Sequence, residues 1–212
     1  MLIYLRQRIL PMPRFSRLLT LIVLLPFFIG CERSPQALPE GAVILAFGDG
    51  ITSGMGAAET ESYPAVLERL VGRKVVNAGV PGEITREGLK RLPTVLAEVR
   101  PRLVILCHGG EDMTQEVEAE EIIANLRKMV QLIGESGAEV FLIAVPPPAA
   151  HFQPAAFYNQ IARDMSVSIE VYALSNVLSR KEMKGAGLHP TAKGYATLAE
   201  AIAKRLQTTP QR

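Results

Sequence analysis

Cysteine is scarce in this 212-residue chain, which has only Cys31 and Cys107. Two thiols cannot build a disulfide framework, and they leave no ligand spacing for a zinc site. Long apolar runs are also missing. The apolar stretch Leu18–Ile29 carries no charge, but it falls short of the ~20 residues that a membrane span needs. A surplus of positive charge is only apparent. Arg6, Arg8, Arg14 and Arg17 precede that stretch, and no acidic residue lies among the first thirty. Without that segment, 19 basic residues face 21 acidic ones, a formal charge of −2 that gives no reason to expect nucleic acid as a partner. After residue 41 there is no internal repeat, low-complexity tract or interdomain linker, so one domain is expected.

Four arginines followed by a short uncharged apolar run have the form of a secretory signal. The run ends in Phe28-Ile29-Gly30-Cys31, followed by Glu32-Arg33-Ser34. This resembles the lipobox of bacterial lipoproteins, in which a small residue precedes the cysteine that is acylated and becomes the mature N-terminus. Phe28 stands where leucine is usual. Residues 1–30 are therefore expected to be a lipoprotein-type signal, with Cys31 lipidated and residues 31–41 a flexible tether. Several acyl chains on one cysteine would hold the protein firmly at a membrane. The alternatives are ordinary secretion with cleavage nearby and an uncleaved anchor. Translation could start at Met1 or at Met12. The implied location is the periplasmic face of a bacterial envelope. Glu32 is not the aspartate that commonly signals inner-membrane retention, which favours the outer membrane.

From residue 42 to 207, short apolar runs alternate with longer amphipathic ones. Strands are expected at Ala42–Phe47, Lys74–Asn77, Leu103–Cys107, Val140–Ala144 and Ile169–Ala173. Helices are expected at Tyr63–Val71, Thr85–Val99, Glu118–Ser136, Ala155–Ser166 and Thr191–Leu206, and residues 208–212 form a tail. The strands are unbroken apolar runs, as in parallel sheets covered on both faces. This order predicts an α/β fold, a three-layer α/β/α sandwich around a five-stranded parallel sheet. Ligands of such sheets bind beyond the carboxyl ends of the strands. The loops there are Gly48–Thr60, Ala78–Ile84, His108–Met113 and Val145–Gln153, and Lys184–His189 can reach the same edge.

Four blocks in these loops occur in order at suitable spacing. They are Gly48-Asp49-Gly50-Ile51-Thr52-Ser53-Gly54, Asn77-Ala78-Gly79-Val80-Pro81-Gly82, Gly109-Gly110-Glu111-Asp112 and Ala186-Gly187-Leu188-His189-Pro190. Together they resemble the blocks of the SGNH (GDSL-type) hydrolases, in the lysophospholipase, thioesterase and arylesterase branch. The resemblance covers about residues 42–206 and implies the flavodoxin-like SGNH-hydrolase fold. It places Gly50 at the nucleophile position, where serine is lost, and Gly82 at the glycine whose N–H helps hold the oxyanion. Glu111 stands at the oxyanion-binding asparagine and Ala186 at the triad acid. His189 stands at the retained base. Three of the five functional positions are changed.

A serine nucleophile needs an imidazole base, a group fixing that imidazole's tautomer, and donors aimed at the developing oxyanion. Loss of the nucleophile alone costs on the order of a millionfold in rate. A carboxylate at residue 111 would oppose an oxyanion rather than hold it. The expectation is a non-catalytic or strongly impaired binding module, whose groove accepts an acyl ester, lysolipid or acylated glycan. The alternative is an active ester, thioester or lysophospholipid hydrolase with a rearranged site around His189. Ser53, one turn after Gly50, is the alternative nucleophile. Cys107 beside His108 could form a thiolate, and His189 with Glu111 could activate water. Asp49, Glu111, His108 and His189 have no ligand spacing for a metal, and no cofactor is expected. Asp49 reads as structural, accepting from turn amides. Thr85, with Glu83 before it, reads as a helix N-cap, and His151 as a solvent-facing loop residue.

Overall fold

The computed structural model describes residues 39–148 and 151–207. The expected signal segment, Cys31, most of the expected tether, Ala149, Ala150 and the expected tail lie outside the described residues. Strand β1 is Ile44–Gly48, and β3 is Leu103–Cys107; every residue of both is buried. They lie side by side at the centre of a sheet completed by β2 (Val75–Gly79), β4 (Glu139–Ile143) and β5 (Ser168–Glu170). The order is β2-β1-β3-β4-β5 and all four pairings are parallel. Leu, Ile, Val and Phe fill both faces of the central strands, which explains why these segments read as unbroken apolar runs.

The helices are α1 (Gly50–Ser53), α2 (Tyr63–Val71), α3 (Thr85–Val99), α4 (Gly110–Thr114), α5 (Ala119–Glu135), α6 (Ala156–Met165), α7 (Ala173–Leu178) and α8 (Ala192–Gln207). The connection from β1 to β2 runs in one direction along the sheet, and those from β2 onward run in the other. Crossovers of one hand therefore put their helices on opposite faces. Accordingly α8 packs against α2 and α7, while α3, α5 and α6 pack in a row. The chain reverses direction between β1 and β3, so the loops after these two strands diverge and leave a crevice.

Three short helices, α1, α4 and α7, escape the sequence reading, because four to six residues carry too little periodicity to register. The fifth strand also differs from its expected span, ending at Glu170 rather than Ala173. The Glu170 carboxylate accepts from the N–H groups of Tyr172 and Ala173, turning the chain into α7. Helix α3 runs through Pro93 without interruption, as expected, and stops at left-handed Arg100 before Pro101. Its N-terminus is organised differently from the expectation. Ile84 is the N-cap and Thr85 the first helical residue. Asp112, from α4, accepts from the Thr85 N–H at 3.0 and 2.8 Å and from its hydroxyl. A side chain distant in sequence thus satisfies the donors that a local cap would have taken.

Candidate functional site

The turn after β1 begins with Asp49, which is 1% exposed. Its Oδ1 accepts from the Ile51 N–H at 3.0 Å and caps α1. Its Oδ2 accepts from the Gly110 N–H at 3.2 Å, joining the loops after β1 and β3. Burial pushes the Asp49 carboxyl up, while His108 and the backbone amides of Ile51, Glu111 and Gly110 pull against it. Gly79 lets α1 approach the end of β2, since a Cβ there would lie 2.1 Å from the Ser53 nitrogen. These contacts fix Gly50, itself buried, at the start of α1.

Above Gly50 stands His189. A Cβ on residue 50 would lie 2.7 Å from its Nε2 and 2.9 Å from Met55 Sδ. Real Cβ atoms essentially never approach heavy atoms so closely, so imidazole and thioether have settled into space that a side chain would need. The ring is held by a closed loop, in which Gly185 N–H donates to the His189 carbonyl at 2.8 Å and His189 N–H to the Ala186 carbonyl at 3.0 Å. His189 Nδ1 also contacts the Ala186 carbonyl, at 3.2 Å. A carbonyl can only accept, so Nδ1 carries the hydrogen, and in the neutral ring Nε2 then faces Gly50 with its lone pair. The Ala186 main chain thereby sets the tautomer, which its side chain cannot. Being uncharged, it cannot stabilise an imidazolium as a triad carboxylate does.

Glu111, near the start of α4, brings Oε1 within 4.0 Å of His189 Nε2, and the two side chains are 20% and 19% exposed. No hydrogen bond to the Glu111 carboxylate is made among the described residues. Burial and then the charge of Asp49 push its carboxyl up, with His189 opposing. The N–H groups of Gly50 and Gly82 likewise have no acceptor among the described residues. Gly82 is exposed, in a loop anchored by the Val80 N–H to the Gly48 carbonyl at 3.0 Å. Beside Gly50 the structure thus brings together the His189 imidazole and, 4.0 Å from its Nε2, the Glu111 carboxylate.

The other candidates face elsewhere. Ser53 Oγ donates to the Gly50 carbonyl at 2.9 Å, a local bond that closes the turn. Cys107 is fully buried and its thiol is pushed well up, by burial first and the Asp49 charge second, which works against a thiolate. The neighbouring His108 turns away from the crevice. Its Nε2 meets Glu83 at 3.2 Å and its Nδ1 accepts from the Gly109 N–H at 3.0 Å. No group of three His, Cys, Asp or Glu side chains suited to a metal occurs among the described residues. His151 is exposed.

The sequence reading did not find the support behind the Gly82 loop. Glu83, 6% exposed, takes a two-pronged bond from Arg91, with Nε and Nη2 each at 2.7 Å. Arg91 also donates to the Ala78 carbonyl and lies over the Phe47 ring. Burial would push the Glu83 carboxyl up, but the bonds and charges of Arg91 and His108 outweigh it and bring it down to about 2. Arg91 follows Glu83 by eight residues, about two helical turns, and that spacing was the available signal.

The sequence model of the GDSL-like lipase/acylhydrolase family matches residues 46–197. An arylesterase from Vibrio mimicus is 31% identical over 201 residues, spanning 90% of this chain and 97% of the relative. Thioesterase 1/protease 1/lysophospholipase L1 of Escherichia coli K12 is 27% identical, over 77% of this chain and 83% of that one. Among solved structures, TesA superposes with a TM-score of 0.72 at 27% identity, covering 78% of this chain and 98% of its own. AlinE4, an SGNH-hydrolase family esterase, gives 0.64 at 28% identity over 82% of this chain and all of its own.

Proposed function

The chain belongs to the GDSL-like lipase/acylhydrolase family, and from that premise we propose that it is an envelope-tethered member whose serine esterase site no longer catalyses acyl transfer. It works instead as a binding module for an acyl ester, lysolipid or acylated glycan, held through acylated Cys31 at the periplasmic face of the outer membrane. One observation carries the reading: His189 Nε2 stands 2.7 Å from where a Cβ of residue 50 would be. The base has closed into the nucleophile's place, beside a carboxylate where the family's oxyanion is held by an amide. With no nucleophile, no charged partner for the imidazole and a carboxylate facing the oxyanion, the remaining groups lack the means to form an acyl-enzyme.

Turnover of short and medium acyl esters by the protein without residues 1–31 tests this. The wild type and the His189→Ala and Ser53→Ala variants are expected to be indistinguishable from each other and from buffer. The competing reading, an ester, thioester or lysophospholipid hydrolase working through His189 with Glu111 or Ser53, draws support from the unblocked N–H groups of Gly50 and Gly82. Measurable wild-type turnover that falls with either substitution establishes it and removes the proposal.

A further inference from the structure

Glu111 changes the charge of the surroundings of residue 50. Its Oε1 is 4.0 Å from His189 Nε2, which in turn is 2.7 Å from where a Cβ of residue 50 would be. Asp49, buried just before Gly50, and Asp112, buried next to Glu111 on α4, are further anions of the same two loops. After burial, the Asp49 charge is the main influence pushing the Glu111 carboxyl up, and Asp112 acts the same way, against His189 and His108. The cations of the neighbouring segments are engaged elsewhere. Arg91 is bound to Glu83, while Lys184 donates to the Gly185 carbonyl at 3.3 Å and lies over the Phe152 ring. Among the described residues, the ion-pair partner of Glu111 is His189 and no lysine or arginine.

We propose that Glu111 makes this crevice select the uncharged acyl ester over the free carboxylic acid with the same chain. The proposal rests on the binding-module reading and names what the module discriminates. A serine hydrolase stabilises a developing negative charge at this place, whereas this chain brings a negative charge of its own. An anionic head group at residue 50 would lie no more than about 7 Å from the Glu111 carboxylate, because both distances run through His189 Nε2. At an effective dielectric of about 20, two unit charges at that separation repel enough to shift an equilibrium roughly fiftyfold. The Glu111 side chain is 20% exposed, so solvent and salt take part of this, and about tenfold is expected to remain. Simple acyl esters, lysolipids and acylated glycans all present the same neutral ester there. In a lysolipid the phosphate is a glycerol unit away from that ester.

Methyl butanoate and butanoate are probes small enough to partition little into detergent. Each would be titrated at pH 8 into the full chain in non-ionic detergent, following the amide signal of Gly50 and the ring signals of His189. At this pH an ordinary imidazole is uncharged and the free acid is ionised. The ester is expected to bind at least about tenfold more tightly than the acid. Glu111→Gln removes the charge and keeps the shape, and should bring the two probes within about threefold, chiefly by tightening the acid. Glu111→Asp keeps the charge and should keep most of the preference. Equal or tighter binding of the acid by the wild type, or a preference unchanged in Glu111→Gln, overturns the inference and leaves the binding module standing. Binding of neither probe overturns both. Methanol release from the ester, read in the same spectra, reports independently on catalysis. Its appearance would defeat the non-catalytic reading, whatever the preference between the two probes.

Discussion

A methyl group at residue 50 would crowd His189 Nε2 at 2.7 Å and Met55 Sδ at 2.9 Å, both near the free ends of side chains. Such ends move at small cost, so Gly50→Ser is expected to fold with a loss of about 1 kcal/mol, the low end for an overpacked site. Urea unfolding measures it. Activity should not follow from that change alone. The imidazole would still lack a charged partner and Glu111 would still face the oxyanion. We expect Gly50→Ser to remain roughly ten-thousandfold or more below Gly50→Ser/Glu111→Asn/Ala186→Asp in p-nitrophenyl butyrate hydrolysis. Equal rates for the single and triple variants would show that the two further replacements are immaterial. Silence of the triple variant would mean that the crevice has also lost its fit to acyl chains. At this scale the sequence named Gly50, Glu111, Ala186 and His189, because each stands in a recognisable block. It could not reveal that the Ala186 carbonyl takes over the tautomer-setting bond, since a main-chain acceptor leaves no mark on residue identity.

Between elements, the buried ion pair behind the second loop supplies the pH dependence. Arg91 on α3 holds Glu83 at the loop that carries Gly82, and His108 at the end of β3 closes the group from the other side. The Glu83 carboxyl lies at about 2 in the folded protein, below its ordinary value of 4.5. A depressed carboxyl stabilises the fold above its unfolded value, and that contribution fades as pH falls from about 4.5 towards 2. Glu83→Gln should therefore cost roughly 3 kcal/mol near pH 7, since Arg91 loses its partner in a mostly buried setting. The gap to wild type should narrow when urea unfolding is repeated at pH 4 and 3. A gap constant across that range would remove Glu83 ionisation as its source. Central strands were legible because burial on both faces makes them wholly apolar, as in Leu103–Cys107. The last strand was not, because the same apolar residues continue into α7 and only the Glu170 carboxylate marks the bend.

For the whole molecule, the expected lipid on Cys31 is what would make the α/β domain an envelope protein. Mass spectrometry of the mature N-terminus should find residue 31 acylated, with residues 1–30 absent. An unmodified residue 31, or cleavage elsewhere, defeats the anchor. If the acylated form is found, the net charge of the remaining chain, formally −2, leaves the lipid rather than basic residues as the attachment.

Residue order alone determined the family and its layering, because four loop blocks and five apolar runs are local patterns written in consecutive residues. Loss of the serine was equally local. Only the tertiary structure decided what occupies the vacated place. Loops from β1, β3 and the segment before α8 meet there, and their side chains relax into whatever space a missing atom leaves. His189 over Gly50, Glu111 beside His189, and the Arg91–Glu83–His108 clamp all result from that convergence, which depends on distances between segments far apart in the chain.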